Sequence, residues 1–146
     1  LNPVIGWIPR KVTPKDGEFA IVGGKQGIHS HTMTQNIACL NAISREYHME
    51  RLWISAQDAE DLGVQTGDTV EVASSEHVGQ VEARVTQRLK PGVVFLPTHY
   101  GGDSPAQTRA YRYGIALTDF IPFDMEPGVG SMMSQEVAVT VKKVEA

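Results

Sequence analysis

The stretch Leu52-Trp53-Ile54-Ser55-Ala56-Gln57-Asp58-Ala59-Glu60-Asp61-Leu62-Gly63 decides the fold class, because it packs a strand, a capped helix and a helix stop into one short segment. Leu52, Trp53 and Ile54 suit a short β-strand. Ser55 follows, and its hydroxyl can accept from the orphan amides that open a helix over 56–62. Asp58, three residues after Ser55, approximates a capping box, and Gly63 supplies the stop. Thr66-Gly67-Asp68 then turns the chain into Thr69-Val70-Glu71-Val72-Ala73, which alternates apolar with polar positions as a strand with one buried face does.

Downstream, Gly79-Gln80-Val81-Glu82-Ala83-Arg84-Val85-Thr86 alternates in the same way, with Val81, Ala83 and Val85 on one face, and is predicted to pair with 69–73 through a turn at 74–78. Pro91-Gly92 marks another turn before Val93-Val94-Phe95-Leu96, an almost wholly apolar run expected to be buried on both sides. Val137-Ala138-Val139-Thr140-Val141 is the last predicted strand. Upstream, Phe19-Ala20-Ile21-Val22 is the first, running into the loop Gly23-Gly24-Lys25-Gln26-Gly27. Residues 37–51 set Ile37, Leu40 and Ile43 at helical spacing, blurred by Tyr47 and His48, and predict a short irregular helix. Residues 97–135 are rich in Gly, Pro and aromatic residues and lack periodicity; loops this long inside a compact domain are usually disordered or functional.

Five or six short strands with one or two helices predict a mainly β fold, and closure into a small barrel is the simplest way to bury so many short edges. Residues 1–17 carry Pro3, Gly6, Pro9, Pro14 and Gly17 and are expected to form an extended arm or linker, leaving 18–146 as the barrel domain.

Composition excludes several classes of function. With 146 residues the chain has room for one domain with a real core. Its 41% hydrophobic and 21% charged residues are ordinary for a folded domain and argue against disorder. A net charge of −4 with scattered Lys and Arg lacks the footprint of a non-specific nucleic-acid binder. The longest apolar runs fall far below the roughly 18 residues that a membrane span needs, so no direct membrane insertion is expected. The opening Leu1-Asn2-Pro3-Val4-Ile5-Gly6-Trp7 has neither the basic nor the apolar region of a signal peptide, and the chain reads as cut from something longer. The compartment is left open, with the parent on an extracytoplasmic membrane face or in the cytoplasm. The one cysteine, Cys39, cannot form an internal disulfide; within Ile37-Ala38-Cys39-Leu40 it is expected to be a buried, inert hydrophobe.

The side chains with most chemistry cluster in Ile28-His29-Ser30-His31-Thr32-Met33-Thr34-Gln35-Asn36, directly after the glycine loop. Thr32, Thr34, Gln35 and Asn36 offer both donors and acceptors. Gly23, Gly24 and Gly27 permit close approach of backbone amides to a phosphate. On an extended segment His29 and His31 would share a face and could donate to phosphate oxygens. Two such imidazoles could also converge on a zinc ion, but no cysteine or acid lies close by to complete a tetrahedral shell, and no metal site is expected. The glycine loop matches neither the Walker pattern nor the dinucleotide fingerprint. No catalytic residue is expected in this chain.

The block 52–101 resembles the C-terminal dinucleotide-binding domain of the dimethyl-sulfoxide-reductase family of molybdenum and tungsten enzymes. The resemblance is carried by Trp53-Ile54-Ser55, Asp58-Ala59, Leu62-Gly63-Val64, Gly67-Asp68-Thr69-Val70-Glu71-Val72, Gly79, Val85-Thr86, Pro91-Gly92-Val93-Val94-Phe95-Leu96-Pro97 and His99-Tyr100-Gly101. Gly24 followed by 29–36 is similar to the family's first cofactor loop. Within the family, Thr34-Gln35-Asn36 is most similar to the branch that reduces polysulfide, thiosulfate or related sulfur and arsenic oxyanions.

The resemblance implies a double-psi β-barrel of the aspartate-decarboxylase-like kind, closing over molybdopterin guanine dinucleotide in a larger oxidoreductase. It implies cofactor contacts from Gly24, Lys25, His29, His31, Thr32, Thr34, Gln35, Asn36, His99, Tyr100 and Gly101. Many members carry an Asn near 116–118; here Thr118 and Asp119 stand instead, with Ser131 and Gln135 as substitutes on chemistry and position. The metal-ligating residue belongs to an earlier domain of such enzymes, so Cys39 is not carried over. Expected partners are the remaining domains of the parent and an iron–sulfur electron-transfer subunit. A free-standing barrel serving recognition is the competing reading; a self-sufficient barrel decarboxylase lacks a reactive group.

Overall fold

The computed structural model describes residues 9–31, 33–126, 128 and 130–145. Six strands and two helices follow in the order β1 (Phe19–Gly24), α1 (Ala38–Glu46), β2 (Leu52–Ser55), α2 (Ala56–Asp61), β3 (Thr69–Ala73), β4 (Val78–Thr86), β5 (Val93–Pro97) and β6 (Ala138–Lys143). A 3₁₀ turn, Leu117–Phe120, interrupts the long segment before β6. Among the described residues no helix is long and apolar enough to cross a membrane.

The strands close into a barrel in the cyclic order β1-β5-β2-β4-β3-β6. The pairs β1/β5 and β2/β4 are parallel and the other four antiparallel. Exchanging β1, β2 and β3 with β4, β5 and β6 returns the same cyclic order and the same direction for every pair. The two halves are therefore related by a pseudo-two-fold axis, and the fold is the double-psi β-barrel.

A closed sheet has one interior, so side chains alternate between core and surface along every strand. Leu52, Ile54, Val70, Val72, Val94 and Leu96 are fully buried inside, each contributing roughly 1.5–3 kcal/mol. Phe120, from the 3₁₀ turn, is buried with them. The run 93–96, expected to be buried on both sides, instead alternates: Val94 and Leu96 are buried while Val93 and Phe95 are half-buried. On the outer side of β5, Phe95 packs on Trp53, its cross-strand partner, at 5.2 Å between ring centroids.

The capping signal at Ser55 operates, with an addition. The Asp58 amide donates to Ser55 Oγ (3.1 Å) and Ser55 Oγ donates to Asp58 Oδ2 (2.7 Å). The same carboxylate oxygen accepts from the Gly92 amide at 3.0 Å, pinning α2 to the turn that opens β5. Because β2 runs parallel to β4 and antiparallel to β5, this contact lies at the barrel end at which β2 and β4 finish.

The helix expected over 37–51 is α1, and it is turned inside out. Its buried residues are Asn41 and Ser44, while Ile37, Ile43 and Tyr47 are 46%, 38% and 62% exposed. The cause is what α1 packs against. Asn41 Nδ2 donates to the carbonyls of Gln35 and Arg109 (3.1 and 3.4 Å), and the Ser44 hydroxyl meets that of Tyr100 at 2.7 Å. Polar loops, not the apolar barrel, lie under this helix. Cys39 is consequently exposed, which corrects the expectation of a buried thiol.

Residues 1–8 of the expected arm lie outside the described residues. Residues 9–17 form neither helix nor strand; the Lys11 amide donates to Glu136 Oε2 (2.7 Å) and its ammonium pairs with Asp124 at 2.9 Å.

Candidate functional site

The parallel pairing of β1 with β5, in register from Ala20↔Val93 to Gly24↔Pro97, makes both strands finish at the same end of the barrel. The two loops carrying the sequence-predicted residues, 25–37 and 98–137, therefore leave side by side. They are stitched together at their roots, where the Thr98 amide and hydroxyl both donate to the Gly24 carbonyl (2.9 and 3.1 Å). Further out, Asn36 Oδ1 accepts from the amides of Arg109 and Ala110. The second loop is folded on itself by Gly101 N–H to Tyr113 O and Arg112 N–H to Gly102 O, both 2.8 Å.

Between the loops lies a cleft of about 560 Å³. Its polar wall is built from Gln35, His99, Tyr100, Gln107, Thr118 and Gln135; Leu117, Ile121 and Met132 supply an apolar side. Gly23 and Gly24 belong to the end of β1, two residues beyond the expected strand, and their missing side chains serve packing. A Cβ on Gly23 would lie 2.1 Å from Leu117 Cδ2, and one on Gly24 2.8 Å from Phe95 Cε2.

Four basic groups gather beside this cleft. The His31 and His99 rings lie 6.2 Å apart, and His29 packs edge-on against Tyr100 at 5.9 Å. Burial holds the His29 imidazole below the usual histidine range, with repulsion from His99 adding to it. His99 is depressed likewise, by burial first and then by Lys25 and His31. The Tyr100 hydroxyl is pushed up by burial, against the Ser44 hydrogen bond that lowers it, with Glu50 raising it further. Among the described residues no carboxylate forms an ion pair with Lys25, His29, His31 or His99.

His29 and His31 reach this cluster by a different path from the one expected. The segment is not extended: turns occur at 27–28, 31, 33 and 35–36, and His31 adopts φ +50°. His29 is buried and His31 exposed, so they do not share a face; each instead meets the second loop separately, His29 at Tyr100 and His31 at His99.

The donor set fits a phosphorylated heterocycle. His29 Nδ1 is 3.2 Å from Thr34 Oγ1, which leaves Nε2 facing away; Nε2 of His29, Nε2 of His99 and Nε2 of Gln35 are all buried without a partner. An orphaned buried donor costs about 1–3 kcal/mol; two of these nitrogens line the cleft and the third, on His29, stands beside it, marking a surface built to be satisfied by something else.

The remaining predicted residues divide by position. Thr34 Oγ1 accepts from the Ser30 amide at 2.9 Å, shaping the first loop. Gly101, at φ +75°, sits against the backbone of Ile115 and Ala116. Thr118 and Gln135 stand on the cleft wall, whereas Ser131 is exposed and absent from it. Lys25 is exposed at the loop's start, and Thr32 lies outside the described residues. Thr98, Gln107 and Ser134 also line the cleft. Gln107 sits in a Gly-Ser-Pro segment with no periodicity, and nothing short of the tertiary fold distinguishes it.

A β-barrel presenting at one end a polar cleft beside basic side chains suits an anionic, hydrogen-bonding ligand. Residues 19–133 match the molydopterin dinucleotide binding domain, and the chain belongs to that family. It is 24% identical over 119 residues to a thiosulfate reductase molybdopterin-containing subunit of Salmonella typhimurium, covering 82% of this chain and 15% of that one. It is 33% identical over 132 residues to the nitrate-inducible formate dehydrogenase major subunit of Escherichia coli, covering 83% of this chain and 12% of that one. Acetylene hydratase from Pelobacter acetylenicus shares the fold, with a TM-score of 0.70 at 11% identity over 88% of this chain and 19% of that chain. The chain thus spans 12–15% of the length of these two curated relatives.

Proposed function

We propose that this chain cradles molybdopterin guanine dinucleotide as one domain of a molybdenum or tungsten oxidoreductase. In this reading Gln35, Gln107 and Gln135 hydrogen-bond the edge of a fused heterocycle, and Lys25, His29, His31 and His99 receive the pyrophosphate. The single observation that carries it is the trio of buried, partnerless nitrogens on Gln35, His29 and His99, on or beside one cleft. The bound group supplies the redox-active metal; this chain supplies hydrogen bonds, positive charge and an apolar wall. Thr34 and Asn36 act indirectly by holding the two loops in place, and residues 1–17 serve as the link to the barrel.

Thr34-Gln35-Asn36 and the likeness to a thiosulfate reductase subunit support the reading that the parent reduces thiosulfate, polysulfide or a related oxyanion. An iron–sulfur subunit is the expected electron partner. The exposed apolar residues Met33, Ile37, Ile43 and Tyr47 favour a second reading, a free-standing recognition module. We assign that face to the remaining domains of the parent instead, since the matched relatives are much longer chains.

The test is a titration of the isotope-labelled chain with diguanosine pyrophosphate, followed by amide chemical shifts. Shifts concentrated in 25–36 and 98–118, weakened by Gln35→Leu, are expected. Shifts confined to the exposed side of α1, or none, would count against the cleft.

A further inference from the structure

The four basic groups pose a problem that the cleft reading alone does not solve: among the described residues no carboxylate forms an ion pair with any of them. Lys25 and His31 approach from the first loop and His99 from the second. His29 stands behind them against Tyr100. Among the described residues, the groups facing this cluster from neighbouring elements are mostly neutral. Thr34, Gln35 and Gln107 are neutral. Tyr100 is hydrogen-bonded to Ser44 of α1, and Glu50, which acts on Tyr100, is engaged by the Tyr113 hydroxyl. Each proton added to one imidazole therefore raises the cost of the next, while the buried Nε2 atoms of His29 and His99 have no acceptor to share it with.

We propose that this chain's grip on a pyrophosphate is proton-linked: His29 and His99 take up protons as the anion settles against them, so the hold tightens as pH falls. The inference rests on the cleft reading above and adds to it the charge state of the site. An anion within hydrogen-bonding reach favours the imidazolium and turns an unpaired Nε2 into a charge-assisted donor. The depressed proton affinity of His29 and His99 in the free chain supports this, because it leaves them neutral near pH 7 and thus able to gain a proton on binding. By linkage, affinity is flat below the free-site values, where the imidazoles are already charged, and declines as pH rises through the interval between free and bound values.

Diguanosine pyrophosphate is a suitable probe because its phosphate diesters stay ionised throughout and contribute no titration of their own. Its affinity for the intact chain would be measured from pH 5.5 to 8, and near neutrality in two buffers of different ionisation enthalpy. We expect binding about tenfold tighter at the acid end, corresponding to roughly one pKa unit gained by one imidazole, with net proton uptake. His99→Asn, an exchange that tolerates the positive φ of this position, is expected to flatten the profile. Should that variant fold poorly, the imidazole resonances of the unaltered chain, titrated with and without the probe, give the same answer directly. Equal affinity across the range, or imidazole titrations that the probe leaves in place, overturns the proton linkage while leaving the cleft intact. Failure to bind at any pH overturns the cleft reading and the linkage with it.

Discussion

Asn36 and Arg109, separated by 73 residues, are joined by a 2.8 Å hydrogen bond from the Arg109 amide to the Asn36 side-chain oxygen, which also accepts from Ala110 at 3.3 Å. One carbonyl oxygen thereby holds the two loops of the cleft at a fixed spacing. Replacing it orphans both amides, one of them on the buried residue Ala110. Asn36→Ala should lose about 1–3 kcal/mol in denaturant unfolding, and the amides of Arg109 and Ala110 should exchange faster. Asn36→Asp keeps an acceptor and should recover most of the loss; equal stability of the Ala variant would show that the contact is idle.

Gly101 is held by two constraints at once. Its φ of +75° disfavours side chains, and a Cβ would fall 2.3 Å from the Ala116 amide nitrogen and 2.5 Å from the Ile115 carbonyl carbon. Backbone atoms cannot swing aside as a flexible side chain can. Gly101→Ala should cost more than the roughly 1 kcal/mol of a simple left-handed strain, shown by a drop in melting temperature and loss of the cleft's amide shift pattern. A variant that melts with the parent chain would disprove the close approach.

Acid should weaken the free chain from the histidine side. The ordinary histidine value is 6.5, and both His29 and His99 lie below it in the folded state. The unfolded chain therefore binds protons more readily than the folded one. The stability associated with these two groups is fully present above the ordinary value and is lost as pH falls through the depressed ones. Melting temperature measured from pH 7.5 down to 5 should fall, and less so in His99→Asn, which removes one titrating ring and the repulsion it exerts on His29. A melting curve independent of pH across this interval would contradict the burial of these rings.

Cys39 should behave as a surface thiol. It is exposed on α1, so it should react with a disulfide reagent in the native state without waiting for unfolding, and Cys39→Ser should alter stability by no more than about 0.5 kcal/mol. Reaction only under denaturing conditions would restore the buried assignment.

Much of the barrel is legible from local chemistry. Alternation in 69–73 and 79–86 and the Ser55 cap each depend on neighbours within a few residues, and each strand and helix predicted there forms. The end of the barrel that carries the cleft is also legible, through the polar run at 29–36 and the resemblance of His99-Tyr100-Gly101. What escapes the sequence depends on partners far along the chain. Helix α1 inverts because its polar side finds Arg109 and Tyr100, residues that no window around Asn41 contains. Val93 and Phe95 are only half-buried, and Phe95 packs on the Trp53 ring of the neighbouring strand, a partner some forty residues upstream. His31 leaves the extended path through a left-handed turn that its own side chain does not announce.

The interchange of β1, β2 and β3 with β4, β5 and β6 leaves the barrel itself indifferent to which of its two mouths receives a guest. The lengths of the connectors break that tie: generous ones follow β1 and β5, while α2 and the Pro91-Gly92 turn are pinned together at the mouth related to theirs by the pseudo-two-fold axis. Selection can therefore rewrite ligand preference in segments that carry none of the barrel's own ladder bonds, and the scaffold persists unaltered beneath whatever chemistry its connectors come to serve.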